Sequence, residues 1–287
     1  MLTINAQAKI NLTLDILGKR PDGYHDVSMV MQSIGLADTL RFCKTSAGSG
    51  IKLVSDLPGL PGDERNLAYK AAKLVMESCG IEDGVAIELT KRIPIAAGLA
   101  GGSADAAAVI RALNELFSLQ LSVADLCALG EKIGSDVPFC ICGGTMLAEG
   151  RGELLTRLPD MPECHVVLAK PPADVSTAWV YQNYRAENAG SHPQTAAIVE
   201  CLKAGDLGGI SKLLCNVLES VTIRRYAEIA AYKKRMCEGG AMASLMSGSG
   251  STVFCLAPDE KTAEGIAADL RSGTDAQVFV TKTVSRN

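Results

Sequence analysis

The chain has 287 residues, long enough for one large domain or two ordinary ones. Hydrophobic residues make up 47% and charged residues 21%, a balance that excludes a disordered chain. A formal net charge of −4 argues against a general binder of nucleic acid or of anionic membranes, which would need a basic face. It leaves open an anionic small molecule, because such a ligand needs only local positive charge. Glycine accounts for 28 residues, about a tenth against a usual ~7%, while only 12 residues are aromatic. The sequence is rich in backbone freedom and poor in large apolar anchors. Ten cysteines without recurring zinc-type C-x-x-C pairs read as free thiols in a reducing compartment. The start of the chain alternates rather than showing a basic-then-apolar leader, and no apolar run is long enough to span a membrane, so a cytoplasmic protein is expected. No interface signal stands out; a monomer or weak homodimer is expected.

From Leu2 to Ile16 every even position is apolar, and from Thr3 to Asp15 every odd one is polar. A period of two over this length predicts a half-buried strand, bent or split, with Gln7, Lys9, Asn11 and Thr13 on one face. Residues 18–23 read as a turn, followed by short strands near 27–34, 39–43 and 51–54. Asn66 is placed to cap a helix that Gly80 ends. Val85, Ile87 and Leu89 alternate as a strand. A glycine-rich turn over 94–103 feeds a helix bearing Val109 and Leu113. Ser122 with Asp125 reads as a capping box, with the helix stopping at Gly134. A hairpin is expected around Gly150-Arg151-Gly152 and a strand over 166–169. Helical segments dominate 176–184, 194–219 and 224–238. The chain closes as strand (241–246), glycine-serine turn, strand (252–256), helix (261–271) and strand (277–283). Strands early, with helices and strands mixed later, predict an α+β protein of two domains with a soft boundary near residue 160, that is 1–160 and 161–287.

Two glycine-rich stretches carry the first chemical signal. Pro94-Ile95-Ala96-Ala97-Gly98-Leu99-Ala100-Gly101-Gly102-Ser103 precedes a helix, so its backbone can turn N–H groups inward and the helix start adds unpaired donors. Ser103 can cap that helix or offer its hydroxyl to a phosphate or a metal-bound water. The alternative is simple close packing of helix on strand. Both the Walker pattern and G-x-G-x-x-G are absent. The second stretch, Ser247-Gly248-Ser249-Gly250-Ser251-Thr252, is either an anion cradle or a flexible turn. Taken singly, Lys9, Asn11 and Asp136 read as a solvated strand lysine, its neighbour and a turn residue. Lys19–His25 (KRPDGYH) reads as an exposed loop or as a rim that places an aromatic face over a ligand.

Together and in this order, these pieces resemble the GHMP-type small-molecule kinases. The carriers are Ala8–Leu12 (AKINL), KRPDGYH, Pro94–Asp105 (PIAAGLAGGSAD), Ile133–Phe139 (IGSDVPF) and Ser247–Thr252 (SGSGST), spread over nearly the whole chain. KRPDGYH beside AKINL is the narrower mark, absent from homoserine and mevalonate kinases of the same family. The resemblance implies an N-terminal nucleotide-binding domain, a C-terminal substrate-binding domain and an active site in the cleft between them. It implies ATP and Mg²⁺ as cofactors, with the ATP phosphates on the loop from Pro94 to Ala104. It implies Asp136 as general base and Lys9 beside the accepting hydroxyl. The narrower mark implies a small substrate of the non-mevalonate isoprenoid route, cytidine diphosphate methylerythritol. Asn11 would touch that substrate and Tyr24 and His25 would hold its cytosine. Tyr181 would supply the opposite stacking face, with Thr177 nearby and Ser247, Gly248, Ser249 and Gly250 on the substrate. Many family members carry two serines where this chain has Ser103-Ala104; Ser103 is the candidate protein ligand for the metal.

Overall fold

The computed structural model describes residues 1–286. In chain order its elements are β1 (Leu2–Lys19), β2 (His25–Ala47), β3 (Ile51–Ser55), α1 (Leu67–Cys79), β4 (Asp83–Thr90), α2 (Gly101–Leu116), α3 (Val123–Glu131) and α4 (Val137–Cys142). There follow β5 (Thr145–Gly150), β6 (Leu154–Arg157), β7 (His165–Lys170), α5 (Thr177–Asn183), α6 (Thr195–Ala204), α7 (Leu207–Lys212) and β8 (Cys215–Asn216). The last are α8 (Glu219–Arg225), α9 (Ala227–Glu238), β9 (Ala243–Met246), β10 (Val253–Ala257), α10 (Glu260–Gly273) and β11 (Gln277–Lys282). This is the mixed α+β content expected from the pattern.

The chain gathers into two compact units that interleave: residues 1–8, 36–95 and 100–142 form one, and 9–35, 96–99 and 143 onward form the other. The expected partition at residue 160 would cut the chain once. Here the two long strands β1 and β2 each begin in one unit and end in the other, so both units need the N-terminal segment.

In the first unit β4 runs antiparallel to the end of β2, with Leu40 opposite Leu89 and Phe42 opposite Ile87, and β3 joins β4 in parallel. α1 packs against α2, and Val75, Val109 and Leu113 are fully buried with the sheet residues Leu40, Phe42 and Ile87. Five alanines of α2 (Ala104, Ala106, Ala107, Ala108, Ala112) are also buried, and their small side chains let neighbouring backbone come close. The predicted caps hold. Asn66 accepts from the Ala68 amide, Gly80 adopts the left-handed conformation (φ 63°), and Ser122 and Asp125 form the reciprocal capping box.

In the second unit β5 pairs antiparallel with the start of β2 and with β6, giving the expected hairpin at Gly150-Arg151-Gly152. β8 lies parallel to β1, with Thr13 opposite Cys215. A separate antiparallel sheet has the order β11-β7-β10-β9, and α9 and α10 pack on it. Three expectations need correction. β1, expected bent or split, is not split but one strand of 18 residues, and β2 is one strand of 23 residues rather than two. Gly35 and Asp38 look like breakers in the sequence. Gly35 instead makes a close approach, since a Cβ there would lie 2.9 Å from the Thr281 hydroxyl. Asp38 is fully buried among donors. The third concerns 194–219, read as helical: it is α6, α7 and the short strand β8. Cys43, Cys79, Cys164, Cys201, Cys215, Cys237 and Cys255 are free thiols.

Candidate active site

From Lys9 to Asp15 the polar face of β1 is not solvated, although Thr3 and Asn5 are exposed. Lys9 is 4% exposed and Asn11 and Thr13 are fully buried, so this part of the strand is buried on both faces. Buried polar groups must be hydrogen-bonded, and these are. Lys9 Nζ donates to Asn11 Oδ1 at 2.7 Å and to the Gly98 carbonyl at 3.0 Å. Asn11 Nδ2 points at the Met29 sulfur, 3.4 Å away, and Thr13 Oγ1 accepts from the Val30 amide. The Gly98 carbonyl also accepts from Ser247 Oγ at 2.9 Å. The strand and both glycine-rich stretches therefore meet at one peptide oxygen. Gly98 (φ 73°) has no room for a side chain there: a Cβ would fall 2.2 Å from the Ser247 carbonyl oxygen. Gly248 is tight but less so, with its Cβ position 3.3 Å from Gly98 O and 3.4 Å from Lys9 Nζ.

The first stretch bends through three left-handed residues, Ala96 (φ 51°), Gly98 and Ala100 (φ 58°). For an alanine this conformation costs roughly 1–2 kcal/mol, so the loop shape is imposed by its surroundings. Pro94, Ala97 and Leu99 turn inward to varying degrees, while Ile95 is 54% exposed. α2 opens directly from the loop. Its N-cap is Ala100, which makes no side-chain cap bond, and the first-turn amides of Gly101, Gly102 and Ser103 receive no side-chain cap. Such an end presents donors and the positive end of the helix dipole to an anion. Ser103 is thus the third residue of the helix and not its cap, contrary to one of the two sequence readings, and its side chain is half-buried. Ala104, where a second serine is common, is buried.

The second stretch is not flexible. Ser247 to Thr252 are all buried, and side chains from elsewhere hold their carbonyls. Asn216 Nδ2 donates to Met246 O and Gly248 O, both at 2.8 Å, and Thr222 Oγ1 donates to Ser249 O at 3.1 Å. Ser251 Oγ donates to Ala173 O. Sequence reasoning missed Asn216, whose only signal was an asparagine within the apolar run Leu213–Leu218.

The rim residues collect in the same unit. His25 and Tyr181 have ring centroids 5.5 Å apart at a tilt of 44°. Tyr24 is 58% exposed, and the Arg151 guanidinium sits 5.5 Å from its ring centroid. Arg151, read only as a hairpin residue, is therefore a further rim group. Thr177 is exposed at the start of α5, whose N-cap is Ser176. Burial, with Lys19 adding repulsion, lowers the His25 pKa below its ordinary 6.5, leaving a neutral ring at neutral pH.

Asp136 belongs to the other unit, half-buried in a turn, as its sequence context suggests, just before the six-residue helix α4. The same unit holds a buried ion cluster. Lys91 Nζ bridges Asp38 and Asp105, and Asp38 Oδ1 accepts the amides of Arg92 and Ile93. Burial pushes the Asp105 carboxyl up to about 7 against the pull of Lys91. Among the described residues no group of three or more His, Cys, Asp or Glu forms a metal cage.

The N-terminal domain of the GHMP kinases matches residues 66–144, and their C-terminal domain matches residues 198–275. A 4-diphosphocytidyl-2-C-methyl-D-erythritol kinase of Geobacillus kaustophilus is 51% identical over 281 residues, covering 98% of this chain and 96% of its own. The enzyme of that name from Acetivibrio thermocellus is 48% identical, covering 99% of both chains. The chain belongs to the GHMP kinase family. A crystal structure of 4-(cytidine 5'-diphospho)-2C-methyl-D-erythritol kinase superposes with a TM-score of 0.85 at 36% identity, covering 99% of this chain and all of that one. The resemblance carried by the motifs is thereby borne out, and the chain is a small-molecule kinase that uses ATP. No described helix is long and apolar enough to cross a membrane.

Proposed function

We propose that this kinase transfers the terminal phosphoryl group of ATP to the 2-hydroxyl of 4-diphosphocytidyl-2-C-methyl-D-erythritol, a step of non-mevalonate isoprenoid precursor synthesis. The observation that carries this reading is full-length identity near one half to enzymes of that name. The His25–Tyr181 ring pair beside Tyr24 supports it, because a flat base needs aromatic faces.

Phosphoryl transfer asks little covalent chemistry of a protein and much positioning and charge stabilisation. The residues divide that work as follows. The amides of the Pro94–Ala104 loop and of the first turn of α2 take the ATP phosphates. Asp136 accepts the proton of the 2-hydroxyl, a contribution typically worth about 10²–10⁴-fold. Lys9, held by Asn11 and Gly98, keeps its ammonium beside that oxygen and favours the alkoxide. Asn11 contacts the sugar alcohol. Tyr24, His25 and Tyr181 clasp the cytosine, with Thr177 at the edge. Ser247, Gly248, Ser249 and Gly250 line the substrate phosphates. Nucleotide recognition then falls within residues 1–160, while 161–287 contributes Tyr181 and the second loop to the substrate.

Mg²⁺ fits this donor set as a phosphate-borne cation. It is a hard ion that keeps several waters and needs few protein oxygens. The Ser103 hydroxyl, which is not used as a helix cap, is the protein donor available in the first turn of α2. When bound, the ion neutralises phosphate charge in the transferring group.

The test is a coupled assay for ADP release with ATP·Mg²⁺ and the cytidine diphosphate alcohol. Homoserine and mevalonate serve as competitors and CDP as an inhibitor. Turnover on the cytidine compound alone, with inhibition by CDP, is expected. Preferred turnover of homoserine or mevalonate would overturn the substrate assignment.

A further inference from the structure

We propose that Asp38, Lys91 and Asp105 form a buried latch that fixes the two ends of the phosphate loop to each other, making them positioning residues for ATP. This rests on the reading of Pro94–Ala104 as the ATP loop.

The geometry is specific. Lys91, Arg92 and Ile93 are the last residues before the loop, and Asp105 is the fifth residue of the helix after it. Asp38, from the middle of β2, accepts the Arg92 and Ile93 amides with one oxygen and Lys91 Nζ with the other. Lys91 Nζ then reaches across the loop to Asp105 Oδ2 at 2.8 Å. The three side chains are 0–7% exposed. Gly101, at the helix start, completes the contact: a Cβ there would stand 2.9 Å from Ile93 Cγ2. Entrance and exit of the loop are thus tied through the Lys91 ammonium, which Asp38 anchors.

Stability alone does not account for this arrangement. Two buried carboxylates on one ammonium are an inefficient way to hold a core, where apolar groups of equal volume do as well. Asp105 Oδ1 is even left buried without a partner. What an ion cluster adds over apolar packing is direction. Direction is what this loop requires, since it runs through Ala96, Gly98 and Ala100 in the left-handed region and would relax if its ends drifted.

A latch of this kind acts on the fraction of molecules whose loop is shaped for ATP, and apparent affinity falls in proportion to that fraction. The test compares Asp105→Ala, which removes the tie, with Asp105→Asn, which keeps the size and an acceptor for Lys91. ATP affinity is measured by calorimetry. KM for ATP and KM for the cytidine diphosphate alcohol are measured separately, well below each variant's Tm. For Asp105→Ala we expect ATP binding to weaken about tenfold, corresponding to a competent fraction near one tenth, with the alcohol KM within about twofold. Asp105→Asn should recover most of the loss, to within about threefold of the parent. If Asp105→Ala does not fold, Asp105→Asn must still show weaker ATP binding at unchanged alcohol KM. Equal rises in both KM values, or a lower Tm with unchanged ATP affinity, would overturn the latch. A parent enzyme that binds ATP but leaves the cytidine diphosphate alcohol unphosphorylated would instead overturn the substrate reading, and the calorimetric comparison would still decide the latch.

Discussion

Replacing Gly98 with alanine should damage folding and catalysis together. Gly98 sits at φ 73°, which costs an alanine roughly 1–2 kcal/mol. The new Cβ would lie 2.2 Å from Ser247 O and 3.1 Å from Gly250 O, both backbone atoms held in a buried loop that Asn216 and Thr222 tie down. Forcing a methyl group into such packing adds about 1–3 kcal/mol, so the total is about 2–5 kcal/mol. At about 2–4 °C per kcal/mol for a chain of this size class, Tm should fall by roughly 4–20 °C. Gly205 provides the control. It has nearly the same φ, 65°, but nothing lies within 4 Å of its Cβ position, so Gly205→Ala carries only the conformational part. Because the Gly98 carbonyl is the acceptor for Lys9 Nζ, its displacement also moves the ammonium, and a misplacement of about 1 Å can cost ~10²-fold in rate. Scanning calorimetry and kcat/KM on folded protein measure the two effects. Equal Tm losses for Gly98→Ala and Gly205→Ala, with full activity in both, would refute the steric argument.

Three further outcomes follow from the site. Asp136→Asn should retain the parent Tm within a few degrees and lose about 10²–10⁴-fold in kcat; near-normal turnover would remove Asp136 as the base. The His25 ring, kept neutral by burial, should leave KM for the cytidine substrate flat from about pH 8 down to about 6.5, rising only below that as the imidazole gains its proton. A rise already above pH 7 would contradict a neutral His25 at the cytosine. Chelation by EDTA should abolish turnover, with recovery on adding Mg²⁺, and leave Tm unchanged, since no cage of metal-binding side chains exists among the described residues. A large loss of Tm on chelation would point to a structural ion instead.

Much of the architecture was legible from local pattern. Asn66, Gly80 and the Ser122–Asp125 pair mark helix ends because capping is a matter between near neighbours in sequence. The alternation of β1 and the hairpin at Gly150-Arg151-Gly152 are local in the same sense. The five motifs placed the chain in its family because those stretches stand in a distinctive order. Periodicity could not tell that the polar face of β1 is buried from Lys9 to Asp15, since Lys9 reads identically whether water or the Gly98 carbonyl lies before it. The 23-residue β2 was hidden for a related reason. Gly35 and Asp38 break strands in general, and they are tolerated here only because Thr281 stands close to one and Lys91 with two backbone amides satisfies the other.

The sequence by itself determined the helix caps, the strand alternation, the two glycine-rich stretches and the family. These depend on residues close together in the chain or on motif order. Only the tertiary structure decided what those stretches do to each other. It made a seemingly flexible serine-glycine turn rigid by way of Asn216 and Thr222. It brought Lys9, Gly98 and Ser247 to one oxygen, and it joined Lys91 to Asp105 across the loop. Each of these is a directional bond between groups far apart in sequence, and no local propensity encodes such a partner.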